Sequence, residues 1–166
     1  MRRKVQKRRR REGKTDYKAR LKLLESELPR IVVRKSNRYV LVQYVKSEHA
    51  QDKVLLGVSS KELLKYGWLK EASGSLKSIP ACYLTGLIFG KEIKTKIKEE
   101  KERVILDLGL GRNIKKSRAY AVLKGIVDSG IEIPHNKEVF PDEKRIQGMH
   151  LKHKINVEEI KKKLLK

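Results

Sequence analysis

An α/β fold built on a mixed sheet is what this sequence predicts, and three observations predict it. In RIVVRKSNRYVLVQYVK two β-branched runs flank a short polar break, the pattern of an antiparallel hairpin. Later in the chain RVILDLGL is a nearly continuous apolar run, as expected of a strand covered on both faces. Helical spacing fills the stretches around that run, so the later strands are joined by helical crossovers and are expected to lie parallel.

Taken in order, DYKARLKLLESELP sets Tyr17, Leu21, Leu24 and Leu28 at helical spacing, with Asp16 as N-cap and Pro29 beyond the end, which predicts a helix over residues 16–28. In the hairpin, Asn37 tolerates the left-handed backbone of a tight turn, so Ser36 and Asn37 are read as the turn. Lys35 then lies opposite Arg38, Val33 opposite Val40 and Ile31 opposite Val42, while Arg34 with Tyr39 and Arg30 with Gln43 share the other face beside Val32 and Leu41. One face is apolar; the other is half basic. DKVLLGVSS follows as a third strand, antiparallel because the link SEHAQ is short, and Ser59 with Glu62 makes a capping-box pattern. SIPACYLTGLIFGKEIKTKIK is the central buried helix, with Gly86 and Gly90 spaced to let a neighbour approach closely. SRAYAVLKGIVDSG carries Ala119, Val122, Leu123, Ile126 and Val127 on one stripe and stops at Gly130. IEIP reads as a last short strand, and NVEEIKKKLLK as an amphipathic helix with Asn156 and Glu159 placed for capping. The organisation expected is a basic arm (1–15), one α/β domain (16–148) and a basic tail with a helix (149–166).

Charge sets the function class. Forty-two Lys and Arg against twenty Asp and Glu give a net +22, which opposes compaction unless a polyanion neutralises it. Residues 1–22 alone hold twelve cations and two acids, net +10, and the opening MRRKVQKRRRREGK has only Val5 to bury, so the arm is expected to be disordered until RNA phosphate meets it. No membrane partner is expected. No apolar run follows those charges as a secretory signal requires, and no stretch approaches the roughly 20 apolar residues of a spanning helix. Lone Cys82 suits a reducing, cytoplasmic compartment and is read as a packed side chain rather than a nucleophile.

Catalytic and cofactor patterns fail one by one. DLGLGRNIKKS sits where a phosphate loop would, but a Walker motif would need Gly at Leu110 and Lys115, and a dinucleotide fingerprint would need Gly or Ala at Ile114. The segment is read as a flexible basic loop in which Arg112, Lys115, Lys116 and Arg118 meet RNA phosphate. His49, His135, His150 and His153 are scattered, so no metal site and no cofactor are expected, and no small-molecule substrate either. Asp107 follows an apolar strand as in some nucleases, yet two-metal chemistry needs several converging carboxylates. A basic RNA-processing enzyme on a similar frame is the alternative function.

The blocks RIVVRKSNRYVLVQ, PACYLTGLIFGK and SRAYAVLKGIVDSGIEIPHN followed by VFPDEKRIQGMH, in this order and at suitable intervals, resemble the large-subunit ribosomal protein L-eighteen family in its archaeal-looking form, from about residue 5 to 155. The resemblance implies a three-layer α/β/α domain with a mixed sheet, no catalytic activity, and a structural role: binding 5S rRNA and helping attach it to the large-subunit rRNA in the central protuberance, beside neighbouring ribosomal proteins. It places the RNA contacts on the arm, at Arg8, Arg9, Arg10, Arg11 and Lys14, and on the hairpin, at Arg34, Lys35, Ser36, Asn37, Arg38 and Tyr39. The charge map agrees. Arg34 and Tyr39, as cross-strand neighbours on the basic face, are expected to contact RNA and to be replaceable with little loss of stability.

Overall fold

The computed structural model describes residues 5–97, 103–151 and 155–165; residues 1–4 of the arm and His153 lie outside the described residues. The arm makes one helical turn, α1 (Arg8–Arg11), which buries no side chain. Asp16 then accepts hydrogen bonds from the backbone N–H groups of Lys18 and Ala19, at 2.9 and 3.1 Å, and starts α2 (Tyr17–Glu25). This helix ends short of residue 28 because Glu27 takes a left-handed φ of +55° ahead of Pro29. Leu21, expected on its apolar face, is exposed.

Strands β1 (Arg30–Lys35), β2 (Val40–Glu48) and β3 (Gln51–Ser59) form an antiparallel meander, and β4 (Ile105–Asp107) joins β1 in parallel, in the order β3-β2-β1-β4. The mixed sheet is as expected, but the hairpin register is not. Lys35 pairs with Val40, Arg34 with Leu41 and Val33 with Val42. The connection is therefore the four residues Ser36 to Tyr39. Ser36 organises it, its hydroxyl oxygen accepting from the N–H groups of Arg38 and Tyr39 at 3.3 and 2.9 Å. A serine that caps the turn from within thus displaces the tight turn centred on Asn37. A slip of two residues leaves the faces unchanged, so Ile31, Val33, Val40, Val42 and Tyr44 still enter the core. Tyr39, however, leaves the ladder and is not a neighbour of Arg34. Its half-buried ring packs at the rim of the core with the Lys61 ammonium 4.4 Å from the ring centre. A variant lacking that ring loses packing, so the expectation of unchanged stability does not carry over.

The apolar face of the sheet is covered by α3 (Ile79–Lys96), begun by Ser78, whose hydroxyl accepts from the Ala81 N–H, and buried at thirteen positions. Ser59 and Glu62 close their capping box ahead of it, opening a 3₁₀ segment, Ser60–Tyr66. Against α3 lies α4 (Arg118–Asp128), so close that a methyl group on Gly86 would run into the Val122 carbonyl and one on Gly125 into the Tyr83 carbonyl. Gly130, at φ +92°, ends α4. Cys82 sits in this interior, where burial, outweighing the pull of Arg118 and Lys35, pushes its thiol up to about 12. IEIP forms no strand. Ile133 is buried without joining a ladder, its carbonyl meeting the His135 ring at 2.6 Å, Pro134 has no N–H to give a ladder, and β4 is only three residues long.

After a short turn, α5 (Glu143–Ile146), the chain ends in α6 (Val157–Leu165), where Asn156 accepts from the Glu159 N–H at 3.3 Å. Ile160 and Leu164 return to the core, and Lys91 on α3 donates to the Leu164 carbonyl at 2.7 Å. On the opposite face of the sheet lies α2, tied by Arg20 to Asp52 of β3 at 2.9 Å. That cover is partial: Leu41 and Val54 on this face remain exposed.

Candidate nucleic-acid interface

Alternation along β1 sends Arg30, Val32 and Arg34 to the outer face of the sheet. The parallel pairing with β4 sets Asp107 opposite Val32, between the two arginines. Its carboxylate accepts from Arg34 at 3.1 Å, from Arg30 at 3.5 Å and from the Gly109 N–H at 2.7 Å. Arg30, only 2% exposed, also donates to Asp52 at 2.6 Å and Ser47 at 2.8 Å, so the buried guanidinium meets two carboxylates and a hydroxyl. Burial would raise the Asp52 carboxyl, but the Ser47 hydroxyl, the Arg20 hydrogen bond and the charges of Arg30 and Arg20 outweigh it and hold it below its ordinary value.

Over this network opens a cleft of about 790 Å³ between the arm, α2, the outer side of β1 and the loop after β4. Arg9, Lys14, Arg20, Lys22, Arg30, Arg34, Lys35 and Arg112 line it, against Asp16 and Asp107 as the acids. Cations from three distant parts of the sequence thus share one concave surface, and the field of each adds to the others.

The expected contact residues divide accordingly. Arg9, Lys14, Arg34, Lys35 and Arg112 line the cleft. Arg8, Arg10 and Arg11 are exposed on the turn beside it, while Arg9 is steadied by donating to the Thr15 hydroxyl at 2.8 Å. Ser36, Asn37 and Arg38 form the exposed tip of the hairpin, apart from the cleft lining. Lys115 pairs with Glu138 at 3.1 Å and Lys116 with Asp142 at 2.9 Å, and these two with Arg118 stand outside the cleft. Arg20 and Lys22 were not anticipated. Their signal was available, since no acid falls between Asp16 and Glu25 and the polar side of α2 is therefore cationic. Asp107, placed by its sequence where some nucleases carry a carboxylate, is already held by two arginines, and among the described residues no three His, Cys, Asp or Glu side chains gather as metal ligands.

Fold and cleft together define a class, a small α/β domain with one concave and strongly cationic surface. The comparisons with known proteins make the class specific. The sequence matches the family described as "Ribosomal large subunit proteins 60S L5, and 50S L18" at residues 1–103 and 92–136. It is 48% identical to the large ribosomal subunit protein uL18 of Korarchaeum cryptofilum over 148 residues, 89% of this chain and 72% of that one. Against the proteins of the same name from Methanothrix thermoacetophila and Methanococcoides burtonii it is 49% identical over 141 and 148 residues, covering 85% and 89% of this chain and 79% and 82% of theirs. The chain belongs to this family of large-subunit ribosomal proteins, which is structural and not enzymatic. Among the described residues no helix is long and apolar enough to cross a membrane.

Proposed function

We propose that this chain binds 5S rRNA through the cationic cleft and helps attach it to the large-subunit rRNA in the central protuberance, with neighbouring ribosomal proteins around it. The observation that carries the reading is the convergence of the arm, β1 and the loop after β4 on one surface lined by eight cations and two acids. Local charge alone would attract any nucleic acid, whereas three backbone segments bordering one cleft can follow one particular RNA shape. Arg9, Lys14, Arg34, Lys35 and Arg112 are the inner contacts. Arg8, Arg10, Arg11 and the tip Ser36, Asn37, Arg38 extend the footprint. Lys115, Lys116 and Arg118 serve a second stretch of rRNA on the far side of the loop.

Competition binding tests the assignment. Full-length protein on labelled 5S rRNA, challenged with unlabelled 5S rRNA or with an unrelated folded RNA of equal length, should release the label at much lower concentrations of 5S rRNA. Equal competition by the two RNAs would contradict it.

A further inference from the structure

The donors of Arg34 are unevenly spent. Its Nη1 donates to the Val33 carbonyl at 3.1 Å and the Asp107 carbonyl at 2.9 Å, and its Nη2 to the Asp107 carboxylate at 3.1 Å. A guanidinium has five N–H bonds, so the Nε–H and one Nη2–H remain, with no partner among the described residues. Nη1 and Nη2 both turn to Asp107, so the edge they share is spent and the open edge is that of Nε–H and the second Nη2–H, parallel and side by side, which is the geometry that grips two oxygens of one phosphate. The guanidinium lies against Gly109, at φ +58°, where a Cβ would stand 2.8 Å from Arg34 Cζ. Any side chain there would push the guanidinium away from Asp107. The side chain of Arg34 is 43% exposed and lines the cleft, whereas that of Asp107 beneath it is 9% exposed.

We propose that Arg34 is a preformed site for a single RNA phosphodiester, with Asp107 and Gly109 as positioning residues that aim its open edge into the cleft. The inference rests on the reading of the cleft as an RNA-binding surface and names the group that one of its residues takes. Its consequence runs against simple charge. Replacing Asp107 by Asn raises the net charge, so general attraction alone would tighten RNA binding. Positioning predicts the reverse, because the neutral amide no longer pins the charged fork and Arg34 must be ordered at the moment of binding.

A double-mutant cycle on the full chain reads the difference, with 5S rRNA and an unrelated RNA of equal length as probes. Asp107→Asn and Gly109→Ala should each weaken binding about tenfold in the parent chain, on the scale of a lost charge-assisted hydrogen bond. Neither should have a further effect in an Arg34→Lys background, where the charge persists and the fork does not. Tighter binding by Asp107→Asn, or equal losses in the two backgrounds, would overturn the proposal. Gly109→Ala keeps both carboxylates around Arg30, so it carries the test if Asp107→Asn fails to fold. Should the parent chain show no preference for 5S rRNA, the functional reading fails, and the cycle on the unrelated RNA still decides whether the fork exists.

Discussion

Asp52 shows how a single residue ties the fold to pH. Its carboxylate stands between Arg20, Arg30 and Ser47, and these hold it below its ordinary 3.8 despite the cost of burial. A carboxyl depressed in the folded chain stabilises the fold at every pH above its unfolded value, and that contribution drains away as pH falls through the folded value. The parent chain should therefore be more stable than Asp52→Asn at neutral pH, with the gap constant down to about pH 5 and closing below about pH 4. Urea unfolding at a series of pH values measures this, and a gap that stays constant into strong acid would contradict it. At this scale the sequence was most readable where partners are close along the chain. Asp16, the Ser59 and Glu62 pair, and Asn156 cap where their spacing says they should, because the groups they serve lie two or three residues on. The bond between Arg34 and Asp107 spans 73 residues and had no local signal.

Among the elements, the packing of α3 on α4 is the one most exposed to a small change. Gly86 and Gly125 bring two backbones together, and a Cβ at Gly125 would meet the Tyr83 carbonyl and stand 2.9 Å from the Leu87 nitrogen. Backbone cannot swing aside as a side chain can, so Gly125→Ala should destabilise the chain by about 1–3 kcal/mol, the usual cost of overpacking, in spite of alanine's better helix propensity. Denaturant unfolding checks the sign, and a neutral or stabilising result would mean that the helices are not this close. The glycine pair at 86 and 90 announced a close neighbour, but which helix supplied it could be read only from the fold. The hairpin failed in the opposite way: its strands were legible from β-branched runs, and its register was not, because the choice between turns rested on the Ser36 hydroxyl. Side-chain alternation survived the error, which is why Arg34 was still assigned to the basic face. At IEIP, apolar alternation looked like a strand, but side-chain burial of Ile133 is all that the segment needed.

For the whole molecule the governing quantities are a net charge of +22 and the part of it, eight cations against two acids, that lines one cleft. Removing residues 1–11 takes away eight cations, and among the described ones Arg9 lines the cleft. Binding to 5S rRNA should weaken, and the dependence of log affinity on log salt should flatten by about 0.7–0.9 for each phosphate that is no longer neutralised, while the preference for 5S rRNA over unrelated RNA is largely kept by the cleft that remains. An unchanged salt slope would mean that the arm is not an electrostatic anchor. Composition alone pointed to a polyanion, and the family blocks pointed to the ribosome. That the arm, β1 and the loop after β4 form one surface required the parallel pairing of β1 with β4, which no local pattern specifies. The most direct test of that single surface is photo-crosslinking of the full-length protein to 5S rRNA, with the attached peptides identified by mass spectrometry. Crosslinks to the arm around Arg9 and Lys14, to Arg34 and Lys35, and to the loop around Arg112 on the same RNA are the result predicted, whereas crosslinks confined to one of these segments, or to the surface of α6, would contradict it.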